Sequence, residues 1–275
     1  LDAANHITGQ GVWNDRLWSD PSFAFDSWGG GGGYSTFFDR PVWQDGAVPE
    51  PARGVPDVAF YADLLPGYLI YCTNDPAECL PATGPFEAVG GTSAATPLFA
   101  GVLALLTQWT RAIDQPTPGF VTPLLYAVAH AAPPGVVRDV TAVNNIVFDD
   151  PSITCCTAGP GWDAASGWGS YDATALRAAL EPPLVTLTSS RPAGVAPLAV
   201  VLSAEAVVAA GAPLRYAWDL DGDGVDDEIT ETNQLATPFP APGVAQPRVT
   251  VTTTLGRRGS ASAPVLVQRR PTFTG

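Results

Sequence analysis

Ser93 stands in Gly90-Gly-Thr-Ser-Ala-Ala-Thr-Pro97, and the apolar run Leu98–Leu106 follows it. A paired glycine, a hydroxyl residue and then a run free of charge until Arg111 read as a loop feeding a buried, central helix. The hydroxyl would fall at or just before the first turn, where backbone N–H groups lack intrahelical partners. Pro97 is tolerated in an opening turn, where a missing N–H costs little. A serine so placed has two uses. It caps the helix through its oxygen, or it acts as a nucleophile once a neighbouring base takes its proton. The glycines admit a second backbone at close range, and Ala94 and Ala95 leave room beside the hydroxyl, which favours the nucleophile.

Other residue sets have chemistry of their own. The only histidines are His6 and His130, and neither sits in a recognisable catalytic segment. Asp219-x-Asp221-x-Asp223-Gly224 looks like the start of a calcium loop, although no Glu stands at its twelfth position; a solvated acidic turn is the plainer reading. Four cysteines are present. The spacing of Cys72 and Cys79 suits a small disulfide-closed loop around Asn74-Asp-Pro76, whereas a ring between the adjacent Cys155 and Cys156 is strained. Zinc wants two ligand pairs at closer spacing, and the nearest histidine is His130. The cysteines therefore point to an oxidising, extracellular compartment.

The elements that would position these groups come from a 275-residue chain with 46% hydrophobic and 15% charged residues, enough for a large core. The formal net charge is −14 and all 13 basic residues are Arg, so the basic stripe that nucleic acid requires is missing. The acidity is uneven: residues 1–182 hold 19 acidic residues and 6 Arg, and residues 183–275 hold 8 and 7. Such a surface repels itself at neutral pH and relaxes as carboxylates protonate, which suits an acidic medium. No apolar run has the length and freedom from polar residues of a membrane span. The chain opens on Leu1 and has no Met, as expected of a processed product or a fragment.

Residues 1–46 show no long helical pattern; Gly11-Val-Trp-Asn-Asp15 and Gly29–Gly33 with Tyr34–Phe38 read as loops around short strands. The five glycines, flanked by aromatic residues, suggest a surface where a ligand backbone comes close. Arg53–Ala59 reads as a turn in which Asp57 holds backbone N–H groups, leading to Tyr68-Leu-Ile-Tyr71, a short buried strand. Helices are expected over Val121–Ala129 and Tyr171–Leu180, giving an α/β layer architecture. A boundary falls at Glu181-Pro-Pro-Leu184. Beyond it, Val185–Thr188, Leu198–Ser203, Leu214–Trp218, Arg248–Thr254 and Ala263–Val267 alternate as short strands of a β-sandwich.

Taken in order, the motifs of residues 10–182 resemble the C-terminal half of a sedolisin, a serine-carboxyl peptidase with a subtilisin-like α/β fold. The segment around Ser93 resembles the family's nucleophile segment. Gly29–Gly33 with Tyr34-Ser35, Arg40-Pro-Val-Trp-Gln44 and Arg53-Gly-Val-Pro-Asp-Val58 resemble its other signatures. The resemblance implies that Ser93 is the nucleophile of a peptide-bond hydrolase acting on protein and peptide substrates. It also implies a Ca2+ site held by Asp139, the Val140 carbonyl, the Gly159 and Gly161 carbonyls, and Asp163. In that family a Glu abstracts the proton, an Asp orients it and a second Asp helps form the oxyanion hole. These lie upstream of the matched segment, so residues 1–182 would be the C-terminal part of a peptidase domain whose N-terminal half is its necessary partner. Alone, this chain is expected to be inactive. Glu50, Glu78 and Glu87 fall in regions that the family reads as loop. Residues 183–270 resemble a PKD-type (polycystic kidney disease) domain, an immunoglobulin-like all-β sandwich, through Ala196-Pro-Leu-Ala-Val200, Tyr216–Gly224 and Pro242-Gly243. Such domains serve substrate or surface binding in secreted peptidases. The alternative reading is a secreted adhesion protein with a degenerate peptidase domain.

Overall fold

The computed structural model describes residues 14–15, 28–63, 67–72, 85–131, 133–145 and 156–271. The chain divides into two compact units. One comprises residues 1–108, 118–129 and 134–175; the other comprises 109–117, 130–133 and 176–275.

The strands of the first unit pair in twos and antiparallel. They are β1 (Asn14–Asp15) with β2 (Trp28–Gly29), β3 (Gly33–Asp39) with β4 (Ala52–Val55), β5 (Tyr68–Tyr71) with β6 (Phe86–Val89), and β7 (Val137–Arg138) with β8 (Ser170–Tyr171). Arg53–Val55, read as a turn, is therefore part of a strand. Tyr68–Tyr71 is a strand as expected, but Leu69, Ile70 and Tyr71 are exposed. Three helices occur among the described residues: α1 (Thr92–Ala112), α2 (Thr122–Ala131) and α3 (Ala173–Ala179). Tyr171, expected in the last helix, lies in β8, and Asp172 caps α3 by accepting from the Ala175 N–H at 2.9 Å.

The buried, central helix expected after Ser93 is a helix but not a buried one. Leu98, Ala100, Gly101, Ala104 and Leu105 are all exposed, Leu105 by 67%. Small and apolar residues at these spacings form one continuous stripe along α1. Among the described residues no layer covers it. Pro97 is also deeper than expected: it stands inside the helix, where it removes the N–H that the Ser93 carbonyl would accept.

The core of the first unit gathers Val48, Tyr126, Cys156, Trp162, Ala164 and Ala165, with Trp43 and Trp168 packed against them. A polar knot sits beside it. Gln44 is fully buried, and its amide donates to the Gly54 carbonyl (2.9 Å) and the Tyr126 hydroxyl (2.7 Å) while accepting from the Gly54 N–H (3.0 Å). Tyr126 in turn donates to Asp57 at 3.0 Å, and Arg53 closes an ion pair on the same carboxylate. Asp57 is thus structural, as expected, but it is held by side chains and not by backbone N–H groups. Burial, with the charge of Asp57 nearby, pushes the Tyr126 hydroxyl far above its usual range, so it stays a donor.

The second unit contains the sandwich. One sheet has the order β14 (Gln234–Phe239), β11 (Leu198–Val207), β9 (Leu184–Ser189). A second runs β13 (Glu228–Thr230), β12 (Pro213–Asp219), β16 (Arg248–Thr253), β17 (Arg258–Ser262). The third is β10 (Ala193–Val195), β18 (Val265–Gln268), β15 (Gly243–Ala245), in which β10 and β18 run parallel. The strict alternation Leu198, Val200, Leu202, Ala204 points one face of β11 into a core completed by Trp218, Val249, Val251 and Val265. Trp218 is fully buried and satisfies its indole N–H on Thr230 Oγ1 at 2.9 Å. In the same unit Gln115, just beyond α1, pairs with the backbone of Arg258 in both directions at 2.9 Å.

Candidate functional site

The start of α1 is set by backbone geometry. Gly91, at φ +78°, turns the chain, and its carbonyl accepts from both Ala94 and Ala95. Gly91 is therefore the residue before the first turn, and Ser93 lies within that turn. The capping use of the hydroxyl is thus not taken up: Ser93 is exposed, and among the described residues its oxygen makes no side-chain hydrogen bond. The Gly91 N–H is tied to the Ala62 carbonyl at 2.6 Å, which fixes the approach to the helix. A positive helix end beneath an exposed, unengaged hydroxyl can stabilise negative charge that develops on an attacked carbonyl.

Beside Ser93 a cleft of about 400 Å³ is lined by Tyr68, Ile70, Val89, Gly90, Ala94, Pro97 and Leu98. Within the glycine run between Trp28 and Tyr34, a side chain at Gly32 would run into the Ala164 carbonyl, and Gly33 has a positive φ of 135°. Gly30 and Gly31 have nothing over them, so the close approach expected of this run is made, at one position, by the chain's own backbone.

The second grouping is built on the loop 156–169. The Gly161 N–H donates to Asp139 Oδ2 at 2.7 Å, and the Gly159 N–H donates to Asp163 Oδ2 at 2.9 Å. Asp163 Oδ1 also accepts from the N–H groups of Ala165 (2.9 Å) and Ser166 (2.8 Å). The Ser166 hydroxyl lies 3.1 Å from Asp163 Oδ1 and 3.4 Å from the Val140 carbonyl, which joins the two segments. These bonds link Asp139 to Gly161, Asp163 to Gly159 and, through Ser166, Asp163 to Val140. Carboxylate and carbonyl oxygens are the donor chemistry of a hard divalent cation, and here both carboxylates accept from the chain's own N–H groups. Ser166 was not anticipated; its spacing three residues after Asp163 was the available signal. The loop is pinned from behind by Trp162 Nε1 donating to the Pro56 carbonyl (3.1 Å) and Trp168 N–H to the Asp57 carbonyl (3.0 Å). Gly167, at φ +62°, admits that Asp57 carbonyl where a Cβ would collide with it.

The acidic turn after β12 differs in detail from its sequence pattern. The carboxylates that converge are those of Asp219, Asp221 and Asp227, and Asp223 is not among them. Asp219 accepts from the N–H groups of Gly222 (2.7 Å) and Gly224 (3.0 Å), and Asp223 from Val225 (2.7 Å). These bonds shape the turn.

Cys72 and Cys156 are both disulfide-bonded, and no described cysteine is free. Cys79, Cys155 and Glu78 lie outside the described residues, as does the expected Cys72–Cys79 loop. No described helix is long and apolar enough to cross a membrane.

The chain was compared with known proteins by sequence and by structure, and both comparisons found relatives of this chain. It is 36% identical over 188 residues to kumamolisin of Bacillus sp. (strain MN-32), an alignment covering 66% of this chain and 29% of that protein. It is 33% identical over 177 residues to sedolisin of Pseudomonas sp. (strain 101), covering 64% and 26%. The chain has sedolisin-family homologues. Human tripeptidyl-peptidase 1 is a more distant one, at 31% identity over 162 residues, 53% of this chain and 26% of that protein. The chain therefore spans under a third of the length of the curated relatives it matches. No family model matches it. Similar solved structures include the PKD1 domain of the Vibrio cholerae metalloprotease PrtV, at 16% identity over 32% of this chain and 99% of that one, with a TM-score of 0.26. The PKD1 domain of Vibrio anguillarum Epp is a second, at 16% identity over 33% and 98%, with a TM-score of 0.27.

Proposed function

We propose that this chain is the nucleophile-bearing part of a secreted, sedolisin-type serine peptidase with a subtilisin-like catalytic domain, followed by an accessory PKD-type sandwich. The observation that carries this reading is Ser93: it stands in the first turn of α1, exposed and unengaged, in a Gly-Thr-Ser segment that resembles the nucleophile segment of the sedolisins. In the reaction the Ser93 oxygen bonds to the carbonyl carbon of a peptide bond, and its proton passes to a carboxylate base. The C–N bond breaks, the amine leaves with that proton, and water then hydrolyses the acyl-serine. A carboxylate base keeps working in acid, where an imidazole is protonated. That base and the oxyanion Asp would come from the rest of the catalytic domain, and the bare stripe on α1 supports docking of such a part.

Asp139, Val140, Gly159, Gly161 and Asp163 would hold Ca2+, which would brace the loop 156–169 and take no part in bond breaking. Disulfide-bonded Cys72 and Cys156 support an extracellular location. The test is acylation of the full-length protein by a peptide p-nitrophenyl ester at acidic pH. Mass spectrometry should find the acyl group on Ser93 and lose it in Ser93→Ala. Failure to acylate Ser93 would leave the adhesion reading, with the sandwich as the working part.

A further inference from the structure

The charges of the second unit are sorted along the chain. Of the eight acidic residues in 183–275, seven fall within 219–231, and residues 232–275 hold five Arg and no acidic residue. In a chain of net charge −14 such a stretch is a local reversal of sign. Register decides where its arginines point. In the sheet β13–β12–β16–β17, Tyr216, Trp218, Val249 and Val251 face the core, so the alternate residues form the outer face. Arg215, Thr252 and Arg258 make one row across three strands, and Ala217, Thr250 and Ser260 make the next. Arg248 follows at the far end of β16, between Asp219 and Ser262.

Neighbouring strands lie about 4.8 Å apart, so the backbones of Arg215 and Arg258 stand about 10 Å apart with Thr252 between them. All three arginines are exposed. Among the described residues none of them forms an ion pair, whereas Arg40, Arg53, Arg138 and Arg177 each hold a carboxylate. The hydroxyls beside them are linked: Arg248 Nη2 donates to Ser260 Oγ at 3.2 Å, and Thr250 Oγ1 lies 3.2 Å from the same oxygen. Gln115 donates to the Arg258 carbonyl and accepts from its N–H, both at 2.9 Å, so β17 presents Arg258 from a fixed edge. Asp219 is the one residue of this face with a carboxylate, and its oxygens accept from the N–H groups of Gly222 and Gly224. The Arg215–Arg258 row lies four residues, about 13 Å, away from it.

Free guanidinium and hydroxyl groups on a flat sheet fit a hydrated anionic ligand. Guanidinium forks take carboxylate or sulfate groups through paired hydrogen bonds, and hydroxyls exchange hydrogen bonds with those of sugars. The face has no aromatic ring on which a nucleic-acid base could stack. Ile229 is its one large apolar side chain, too little for insertion into a membrane. We propose that the outer face of β13–β12–β16–β17 binds a linear anionic polysaccharide, with its acidic groups on Arg215 and Arg258 and its hydroxyls against Thr252, Thr250 and Ser260. This goes beyond the peptidase reading and does not depend on Ser93.

The test is affinity electrophoresis of this chain through gels holding dextran sulfate, polygalacturonate or neutral dextran at low salt. Neutral dextran should not retard it and an anionic polymer should; retardation by one anionic polymer alone assigns the face to sulfate or to carboxylate. The effect should fade as salt rises. Arg215→Gln together with Arg258→Gln should weaken binding about tenfold or more. Arg269→Gln together with Arg270→Gln removes the same charge beyond β18 and should weaken it about twofold or less. If the first pair does not fold, Arg215→Gln alone, which leaves the Gln115 contact intact, gives the same readout. Equal losses for the two pairs overturn the proposal, since they show general charge attraction and no face. So does the absence of retardation by either anionic polymer, and so does binding to anionic lipid vesicles or an oligonucleotide in their place. Each of these results leaves acylation of Ser93, and with it the peptidase reading, to stand or fall separately.

Discussion

Removal of single oxygen ligands from the Asp139–Asp163 grouping separates the structural work of these carboxylates from their proposed work on Ca2+. Asp163 accepts three backbone N–H groups and the Ser166 hydroxyl, in a half-buried position. At about 0.5–1.5 kcal/mol for each bond, with some shared by solvent, Asp163→Ala should cost about 2–4 kcal/mol even in chelator. Asp139 is exposed and, among the described residues, accepts one backbone hydrogen bond, from Gly161, so Asp139→Ala should cost about 1 kcal/mol under the same conditions. Both variants should nonetheless lose the same calcium response. At a free Ca2+ concentration of about 100 times Kd the wild type should gain about 2.7 kcal/mol. For a chain of this size that is roughly 5–10 °C in Tm. The assay is thermal unfolding of all three proteins in chelator and in millimolar Ca2+, with Mg2+ as control. A wild type whose Tm ignores Ca2+ refutes the site. So does an Asp139→Ala protein that keeps the full shift. Equal costs for the two variants in chelator would refute the hydrogen-bond accounting instead.

Other substitutions probe the scaffold. Gln44→Leu strips the buried Gly54 N–H and carbonyl of their partners and should cost about 3–5 kcal/mol by denaturant unfolding, whereas Gln44→Asn should recover part of it. Asp172 has its carboxyl held below the usual carboxylate range, first by the Ala175 N–H and then by Arg138. A depressed folded value contributes stability above the unfolded value and loses it as pH falls through the folded one. Asp172→Ala should therefore cost about 1 kcal/mol at pH 7, and the gap to wild type should shrink in strong acid, as followed by circular dichroism across pH. Leu105→Asp, on the exposed stripe of α1, should change the stability of this chain by under about 0.5 kcal/mol. In the full-length protein the same change should be strongly destabilising, and equal small effects in both would show that nothing docks there.

The sandwich was legible because period-two alternation survives wherever one strand face is buried. Leu198–Val207 shows it fully. The two longest of the sandwich strands that the sequence pattern does not show, Gln234–Phe239 and Arg258–Ser262, are edge strands of their sheets. One contains Pro238 and the other is made of Arg, Gly, Ser and Ala, so neither shows a run of β-branched or aromatic residues. In the first unit the errors have a different cause. Tyr68–Tyr71 and the helix after Ser93 were read as buried because their sequences are apolar, and both are exposed in this chain. Their composition matches a covering surface that the described residues do not provide. The polar knot could not be read at all. Gln44 and Tyr126 are 82 positions apart, and neither residue type announces a buried hydrogen bond.

Ser93 shows where a difference of two residues changes the chemistry. As the residue before the first turn, its oxygen would be spent on a helix N–H and held close to the backbone. Gly91 occupies that place because its positive φ lets it turn the chain while its carbonyl accepts from the N–H groups of Ala94 and Ala95. Ser93 is thereby moved inside the turn, where its oxygen is left to solvent, its N–H belongs to the unpaired set at the helix start, and Pro97 has removed the donor that its carbonyl would otherwise accept. A hydroxyl with no structural duty, at the positive end of a 21-residue helix and on the rim of an apolar cleft, fits acyl transfer better than capping.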